Sequence, residues 1–381
     1  MWRRSAAPWI SLRRFRRVDR AMARIAVLGL GVAGLAAARH LALAGQAPLL
    51  IAPDATIPFR GETLSHRALP TLESLGWRDL LDAEVALAGA GRFSVWGDEI
   101  LRQDTAQENG FHVDRPLLQT RMIESLAEDG VERVCASAVT LEHLPEGVRI
   151  VLSDGREIDV AVVIDATGRA ALSSGPSADR RRLDRLVAAY CVCPLEDDDE
   201  VAAATLVEAV AGGWWYMSPV PGRRMMLGLF TDSDLLPEGL HREGGVFVAL
   251  AAETCAISAR MESLALAPAF GAAPPSVVPA TSTIAARVWD GRILRAGDAA
   301  VSLDPLGANG LATALWSGTR AAQATQALAM GDTAIAHQYE HAFLEGVVNH
   351  LSAQRSLYTA ERRFSSSPFW ARRQSPPEAQ G

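Results

Sequence analysis

Three glycines near the N-terminus have the spacing of a nucleotide-binding turn. Gly29, Gly31 and Gly34 form the pattern G-x-G-x-x-G directly after the apolar run 25–28, and helix-forming residues fill 35–44. In such a turn the first glycine permits a tight bend, the second lets a pyrophosphate approach the backbone, and the third lets the helix pack closely on the strand. The helix N-terminus then presents free N–H groups to the pyrophosphate. The segment therefore predicts a dinucleotide-binding site.

The acidic residue that usually closes this fingerprint is displaced. Ala52 and Pro53 occupy the end of the second predicted strand, and Asp54 comes two positions late. A carboxylate at the strand end normally binds a ribose hydroxyl of the dinucleotide. Two sources of that carboxylate stay open, namely Asp54 reaching back past Pro53, or Glu62 in the segment RGETLSH.

A second cofactor-binding pattern occupies residues 293–318. An apolar strand ends at Gly297 and Asp298, a loop rich in proline and glycine covers 305–310, and a helix follows from Leu311. An aspartate at a strand end accepts hydrogen bonds from the hydroxyls of a sugar chain, and backbone N–H groups at a helix start face an electron-rich ring edge. These properties suit the ribityl chain and the isoalloxazine ring of FAD.

Strand-like and helix-like runs along the chain predict an α/β fold with two sheets. Successive apolar runs broken by turn residues between 185 and 236 indicate the second sheet, because residues after it return to the strand and helix pattern of the first part. We predict five segments: a disordered arm or over-extended start at 1–22, the first part of the FAD-binding domain at 23–184, a substrate-domain sheet with a helix at 185–284, the second part of the FAD-binding domain with C-terminal helices at 285–364, and a disordered tail at 365–381.

Composition excludes several classes of function. The net charge of −7 gives no overall indication of nucleic-acid binding, and no apolar run is long enough to predict a membrane span. The four cysteines lack metal-ligand spacing, so we predict no metal. The segment SLRRFRR superficially resembles an export signal, but the apolar stretch that would follow it belongs to the glycine fingerprint, and we expect a cytoplasmic protein. No lysine occurs anywhere, which excludes lysine-dependent chemistry.

The order of the motifs resembles that of the FAD-dependent aromatic hydroxylases and their relatives, the tryptophan halogenases. The resemblance extends over roughly 24–350 and rests on the glycine fingerprint, HVDR at 112–115, DATGR at 165–169 and the segment from GD to DPLGANG at 297–310. Two segments, RGETLSHRALPTLESLGW and GGWWYMSPVP, also resemble the flavoproteins that modify a tryptophan in partner proteins carrying tryptophylquinone cofactors.

This resemblance implies a fold, a cofactor and an activity. The fold is a Rossmann-like FAD-binding domain of the glutathione-reductase type with an inserted, mainly antiparallel sheet. The activity is hydroxylation of an aromatic ring through a C4a-hydroperoxyflavin, on an indole or tryptophan that is either free or part of a protein. Electrons come from NAD(P)H or from a separate flavin reductase, since no second dinucleotide fingerprint is present. The residues implied to bind FAD are Gly29, Gly31, Gly34, Glu62, Arg115, Thr167, Gly168, Asp298, Pro305, Gly307, Asn309 and Gly310.

Three side chains are candidates for the catalytic site. Trp214 and Tyr216 share one face of a predicted strand, either as the wall of a ring-binding site or as ordinary sheet core. His66 is a candidate proton acceptor because imidazole titrates near neutrality, the alternative being a surface or core histidine. Asp304 is either a further candidate or a turn residue, and 180–182 is an arginine run that either faces solvent or docks an acidic partner.

Several other activities remain open alongside hydroxylation. A flavin-dependent reductase of lipid alkenes, an oxidase that releases H2O2, and a non-catalytic FAD-binding maturation partner would share the cofactor motifs. Halogenation is disfavoured, because halogenases of this family use a lysine to carry hypohalous acid and this chain has none. Their W-x-W-x-I-P motif is also absent, and WWYMSP stands at 214–219.

Overall fold

The computed structural model describes residues 24–54, 58–59, 61–104, 110–174, 180–196 and 201–374. Within these ranges the strands are β1 Ile25–Leu28, β2 Leu49–Ile51, β3 Gly61–Leu64, β4 Ala86–Ala88, β5 Gly91–Val95, β6 Leu101–Gln103, β7 Phe111–Asp114, β8 Glu132–Val134, β9 Ala138–Leu144, β10 Gly147–Leu152, β11 Glu157–Val160, β12 Val162–Asp165, β13 Arg180–Arg182, β14 Leu186–Pro194, β15 Ala204–Val210, β16 Gly213–Val220, β17 Arg224–Asp232, β18 Ser276–Pro279, β19 Thr283–Ala285, β20 Trp289–Asp290, β21 Ile293–Arg295 and β22 Val301–Ser302.

The α-helices within the same ranges are α1 Val32–Leu43, α2 Leu69–Ser74, α3 Arg115–Glu128, α4 Gly244–Ala252, α5 Ala256–Ser263, α6 Ala267–Gly271, α7 Gly310–Ala329, α8 Ala334–Ala360 and α9 Pro368–Gln374. The predicted arm at 1–22 lies outside the described residues. No single helix in the described part of the chain has the length and apolarity needed to cross a membrane, although α4 and α5, which meet at 116°, reach that threshold when they are taken together.

The first sheet has the strand order β20-β21-β12-β1-β2-β8, and all of its neighbours except β20 and β21 pair in parallel. Strand β1 is central and buried on both faces because its side chains alternate between two cores. Ile25 and Val27 pack against a core with helices α1, α3 and α7, whereas Ala26 and Leu28 pack against the three-stranded sheet of β9, β10 and β11. The predicted mixed α/β fold is confirmed.

The second sheet has seven strands in the order β18-β14-β17-β16-β15-β5-β6. All of its pairs are antiparallel except that of β15 with β5. The prediction drew this sheet from the range 185–236, but β5, β6 and β18 come from outside it. An edge strand leaves its N–H and C=O groups free to pair with any nearby segment, so sequence position does not limit which strands join. Helices α4, α5 and α6 cover the face that contains Trp215.

The segment HVDR runs from β7, which pairs with β3 and β4 in a separate three-stranded sheet, into helix α3. His112 lies in β7, is only 2% exposed, and has its Nε2 atom 3.3 Å from the carbonyl oxygen of Ala203. Asp114 caps α3 by accepting a hydrogen bond from the backbone N–H of Leu117 at 3.0 Å. Burial lowers the pKa of His112 to about 4, so the imidazole is neutral in the folded protein at neutral pH.

His112 is expected to make stability depend on pH. Its pKa is lower in the folded than in the unfolded chain, so the unfolded chain binds the extra proton between pH 6.5 and about 4. The free energy of unfolding should therefore fall as the pH falls through this range, by up to about 3 kcal/mol from this group. Denaturant unfolding from pH 7.5 to 4 would measure this, and His112→Gln should show a smaller loss; an identical pH dependence in the variant would contradict the assignment.

The C-terminal segment differs from the predicted tail. Residues 365–381 were expected to be disordered, yet 368–374 form helix α9, with Phe369 and Trp370 fully buried. Trp370 donates its indole N–H to the carbonyl of Val210 at 2.8 Å, and Arg373 forms an ion pair with the buried Asp232 at 2.7 Å. The mostly polar composition of the tail gave no sign of these anchors, because Val210 and Asp232 precede the residues that contact them by more than 130 positions.

Candidate active site

Each of the three fingerprint positions requires glycine for a different structural reason. Gly29 has φ of +105°, and a Cβ atom there would lie 2.4 Å from the carbonyl oxygen of Ala166. A Cβ on Gly34 would lie 2.2 Å from the carbonyl oxygen of Gly29, so this glycine lets α1 pack on the turn. A Cβ on Gly31 would meet nothing within 4 Å, and Gly31 lines a cleft. The second glycine therefore leaves open space at the N-terminus of α1, which fits a pyrophosphate.

The segment DATGR forms the next wall of the cleft. Gly168, with φ of +66°, and Arg169 line it. Thr167, predicted to bind FAD, instead donates its hydroxyl to the buried carboxylate of Asp165 at 2.6 Å and accepts the backbone N–H of Leu172 at 3.0 Å. The structure thus gives Thr167 a contact that shapes the turn, and places it outside the residues that line the cleft.

Asp298 opens on the same cleft from the end of β21. Its carboxylate lies 3.6 Å from the guanidinium of Arg169. About half of the Asp298 side-chain surface is open to the cleft. The protein nevertheless surrounds the carboxylate on its other sides, and this desolvation raises its pKa. Arg180 donates to the carbonyl oxygens of Asp298 at 2.8 Å and Arg169 at 2.6 Å. The prediction that this arginine run faces solvent is therefore wrong for Arg180, which connects the segments of Arg169 and Asp298. The prediction holds for residues 181–182, which are exposed.

Glu62 and Arg115 form an ion pair inside the cleft. Their Oε1 and Nη1 atoms are 2.6 Å apart, and this carboxylate raises the pKa of Arg115. Gln119 accepts from Arg115 at 2.7 Å and donates to the carbonyl oxygen of Leu30 in the glycine turn at 2.8 Å. Sequence reasoning missed Gln119, because nothing in its neighbourhood marks it as a link to a turn 89 residues earlier.

The two candidate carboxylates for the ribose contact lie in different places. Glu62 lines the cleft, whereas Asp54 does not. Asp54 is 79% exposed and pairs with Arg133 at 2.6 Å, and hydrogen bonds from Cys135 and Arg133 lower its pKa. Of these two carboxylates, the structure brings only Glu62 into the cleft with the glycine turn.

The loop before α7 forms the opposite wall. Pro305, Ala308 and Gly310 line the cleft, whereas Gly307 and Asn309 do not. A Cβ on Gly307 would lie 3.3 Å from the ring of His350, so this glycine lets the loop pack against α8. Helix α7 begins at Gly310 with its N-terminus toward the cleft, which supplies free backbone N–H groups there.

Asp304 anchors this loop from beneath. It is 2% exposed and accepts the backbone N–H of Leu306 at 2.9 Å, which confirms the interpretation as a turn residue. It also accepts hydrogen bonds from the hydroxyl of Tyr358 and the amide of Gln354, each at 2.8 Å. Burial raises the pKa of Asp304. Both donors lie on α8 and were not predicted, since they follow Asp304 by about 50 residues.

The second sheet supplies an aromatic wall. Trp214 and Tyr216 line the cleft, and Trp215 packs against Phe247 on the other face of the sheet, as the alternation predicts. Trp214 stacks on Phe230 with ring centroids 3.9 Å apart. The hydroxyl of Tyr216 lies 3.1 Å from the hydroxyl of Thr63 in β3. Other residues of the second sheet that line this wall are Ala188, Tyr190, Met226, Val278 and Pro279.

One cleft of about 300 Å³ therefore brings together the glycine turn, the two later motifs and the aromatic wall. His66 is outside it: the residue is exposed in a short 3₁₀ turn, Ser65 to Ala68, and does not line the cleft. The expectation that His66 accepts a proton from the substrate has no support in this position. One end of the cleft is polar and has room for a phosphate, and the other end is apolar. This combination suits a long dinucleotide with a flat ring next to it at the apolar end.

Comparisons with known proteins agree with this arrangement. A family model for lycopene cyclase proteins matches residues 24–183. The chain is 28% identical over 145 residues to the chloroplastic lycopene beta cyclase of Arabidopsis thaliana, and 28% identical over 152 residues to a flavin-dependent monooxygenase of Legionella longbeachae. Each match covers 38% of this chain, and they span 27% and 39% of those relatives.

Solved structures match over much more of the chain. The peptidyl tryptophan dihydroxylase QhpG, which is essential for tryptophylquinone cofactor biogenesis, superposes with a TM-score of 0.77 at 26% identity, covering 95% of this chain and 80% of that one. The flavin-dependent halogenase CmlS superposes with a TM-score of 0.78 at 21% identity, covering 95% and 69%. The resemblance to flavin-dependent oxygenases and halogenases is confirmed.

Proposed function

We propose that this protein is an FAD-dependent monooxygenase that hydroxylates an indole ring, and that the ring belongs to a tryptophan of a partner polypeptide. The observation that carries the proposal is the single cleft, in which the cofactor motifs meet an aromatic wall. The likeness to a peptidyl tryptophan dihydroxylase supports the choice of ring and the polypeptide context.

The residues that hold FAD follow from the cleft. Helix α1 would offer its N-terminus at Gly31 to the pyrophosphate, Glu62 would face the ribose, and Asp298 would accept hydrogen bonds from the ribityl hydroxyls. Pro305, Ala308 and the N-terminus of α7 would contact the isoalloxazine edge. In this proposal the cofactor lies on a Rossmann-like domain of the glutathione-reductase type, and the second sheet is the substrate side.

The aromatic wall orients the ring and keeps water away. When bound and reduced, FAD activates O2 for transfer of one oxygen to an electron-rich ring. Trp214, Met226 and Phe230 offer apolar contacts that exclude water from the reacting atoms. Tyr190 lines the cleft and is 7% exposed, and its hydroxyl would accept the indole N–H and so select one ring orientation.

The sequence also bears on the electron donor and on two competing activities. With no second dinucleotide fingerprint in the sequence, electrons come from transiently bound NAD(P)H or from a separate flavin reductase. The absence of lysine separates this chain from halogen transfer despite the shared fold. The lycopene cyclase match stops at residue 183, before the strands that carry the aromatic wall, so it supports the cofactor fold and gives no support for a polyene substrate.

The oxygen balance tests this function. A tagged copy should co-purify with a tryptophan-containing polypeptide, and adding that polypeptide with NADH, NADPH or reduced flavin should raise O2 consumption without an equal release of H2O2. Stoichiometric H2O2 would indicate an oxidase instead. Conversion of the substrate without O2 consumption would indicate a reductase.

Asp298→Ala is expected to weaken FAD binding by about 1–3 kcal/mol, because the ribityl hydroxyls lose the carboxylate that accepts their hydrogen bonds. FAD titration into the FAD-free protein, followed by fluorescence quenching, measures the change. Asp54→Ala is the matched control, since Asp54 is a carboxylate outside the cleft. Weaker binding in the control with no change for Asp298→Ala would reverse the assignment.

A further inference from the structure

A buried chain of hydrogen bonds joins the aromatic wall to the cofactor loop. The indole N–H of Trp214 donates to the hydroxyl of Tyr358 at 3.2 Å, and this hydroxyl donates to Asp304 at 2.8 Å. The other carboxylate oxygen of Asp304 accepts the backbone N–H of Leu306 at 2.9 Å. Trp214, Tyr358 and Asp304 are each at most 2% exposed, so water cannot replace these bonds.

Both ends of this chain border the cleft. Trp214 lines it from the second sheet, and Leu303 and Pro305 line it on either side of Asp304. Tyr358 itself lies behind the wall, at the end of α8, and touches neither side of the cleft surface. One hydroxyl group thus links the second sheet to the loop before α7.

We propose that Tyr358 is a positioning residue, which holds the Trp214 wall and the loop 303–310 in one arrangement through Asp304. Gln354 reinforces the link from one turn earlier on α8, because it donates to the same oxygen of Asp304. The inference rests on the proposed function, since it assumes that FAD occupies the cleft. Its consequence is that loss of a hydroxyl outside the cleft weakens cofactor binding inside it.

Tyr358→Phe tests the proposal because it removes one oxygen atom and keeps the ring. FAD is titrated into the FAD-free variant well below its unfolding temperature. The Kd for FAD should rise roughly tenfold, because the Trp214 wall and the loop are then no longer held in the binding arrangement before FAD enters. Wild-type protein that binds no FAD would refute the proposed function. A wild-type protein that binds FAD with a Tyr358→Phe Kd within twofold of it would refute only this inference.

Trp370→Phe is the matched control. Trp370 is fully buried in the same aromatic cluster and also makes one hydrogen bond, to the carbonyl of Val210, but it reaches neither Asp304 nor the cleft. Both variants should lower the unfolding temperature, and only Tyr358→Phe should raise the Kd for FAD. Equal weakening in both variants would show that general loosening of the core is the cause.

A second variant covers failure of Tyr358→Phe to fold. Asp304→Asn keeps an oxygen for the N–H of Leu306 and replaces the acceptor of Tyr358 and Gln354 by an NH2 group. FAD is anionic, so removal of a carboxylate charge alone would tighten its binding. Weaker FAD binding in Asp304→Asn would therefore support the positioning role, and unchanged or tighter binding would overturn it.

Discussion

Gly31→Val is expected to yield a folded protein that retains no FAD through gel filtration. Gly31 has φ of −67° and ψ of 165°, which valine adopts readily, and its Cβ would meet no atom within 4 Å. The side chain would instead fill the space at the N-terminus of α1 that the pyrophosphate needs. We expect the Kd for FAD to rise at least about 100-fold, or about 3 kcal/mol.

Gly34→Ala provides the contrast. Its Cβ would lie 2.2 Å from the carbonyl oxygen of Gly29, so α1 must move away from the turn, at a cost of about 1–3 kcal/mol in the free energy of unfolding. Thermal unfolding and FAD titration on both variants separate the two roles. A Gly31→Val protein with normal FAD content would show that the phosphate group lies elsewhere.

Trp214→Ala is expected to lower the free energy of unfolding by about 3–5 kcal/mol, because a large buried side chain is lost from the core. Trp214 is 1% exposed, stacks on Phe230 and still lines the cleft. The two interpretations that the sequence left open, sheet core and site wall, therefore apply together. Denaturant unfolding of the variant measures the stability effect.

The neighbouring tryptophan separates stability from function. Trp215 is 2% exposed on the opposite face of the same strand, so Trp214→Phe and Trp215→Phe remove similar groups from different cores. Only Trp214→Phe should change the binding of indole to the FAD-loaded protein, seen as a flavin difference spectrum. Equal effects from both variants would contradict the assignment of Trp214 to the ring-binding wall.

The parts of the site that sequence predicted are those with local causes. The glycine spacing depends on one turn, and the shared face of Trp214 and Tyr216 depends on the two-residue period of a strand. Both appear in the structure where the pattern placed them. Several motifs also occur in the same order as in a known flavoprotein family. This shared order predicted that the local features belong to one cofactor-binding cleft.

The parts that sequence did not predict depend on contacts between distant segments. Gln119 links Arg115 to the glycine turn across 89 residues, and Arg180 contacts the segments of Arg169 and Asp298 after β13 has paired with β19. Tyr358 reaches Asp304 only after α8 has packed on the loop. His66 shows the converse, since a suitable residue type within a family-like segment gives no information about which way the side chain faces.

The most direct test of the central claim is the origin of the product oxygen. FAD-loaded protein is reduced without air and mixed with ¹⁸O2 and the co-purifying polypeptide, with free indole and tryptophan in parallel, and the products are examined by mass spectrometry. We predict ¹⁸O in an aromatic ring, mapped to a tryptophan when the polypeptide is the substrate. Substrate conversion without label from O2, or recovery of all consumed O2 as H2O2 with every substrate, would contradict it.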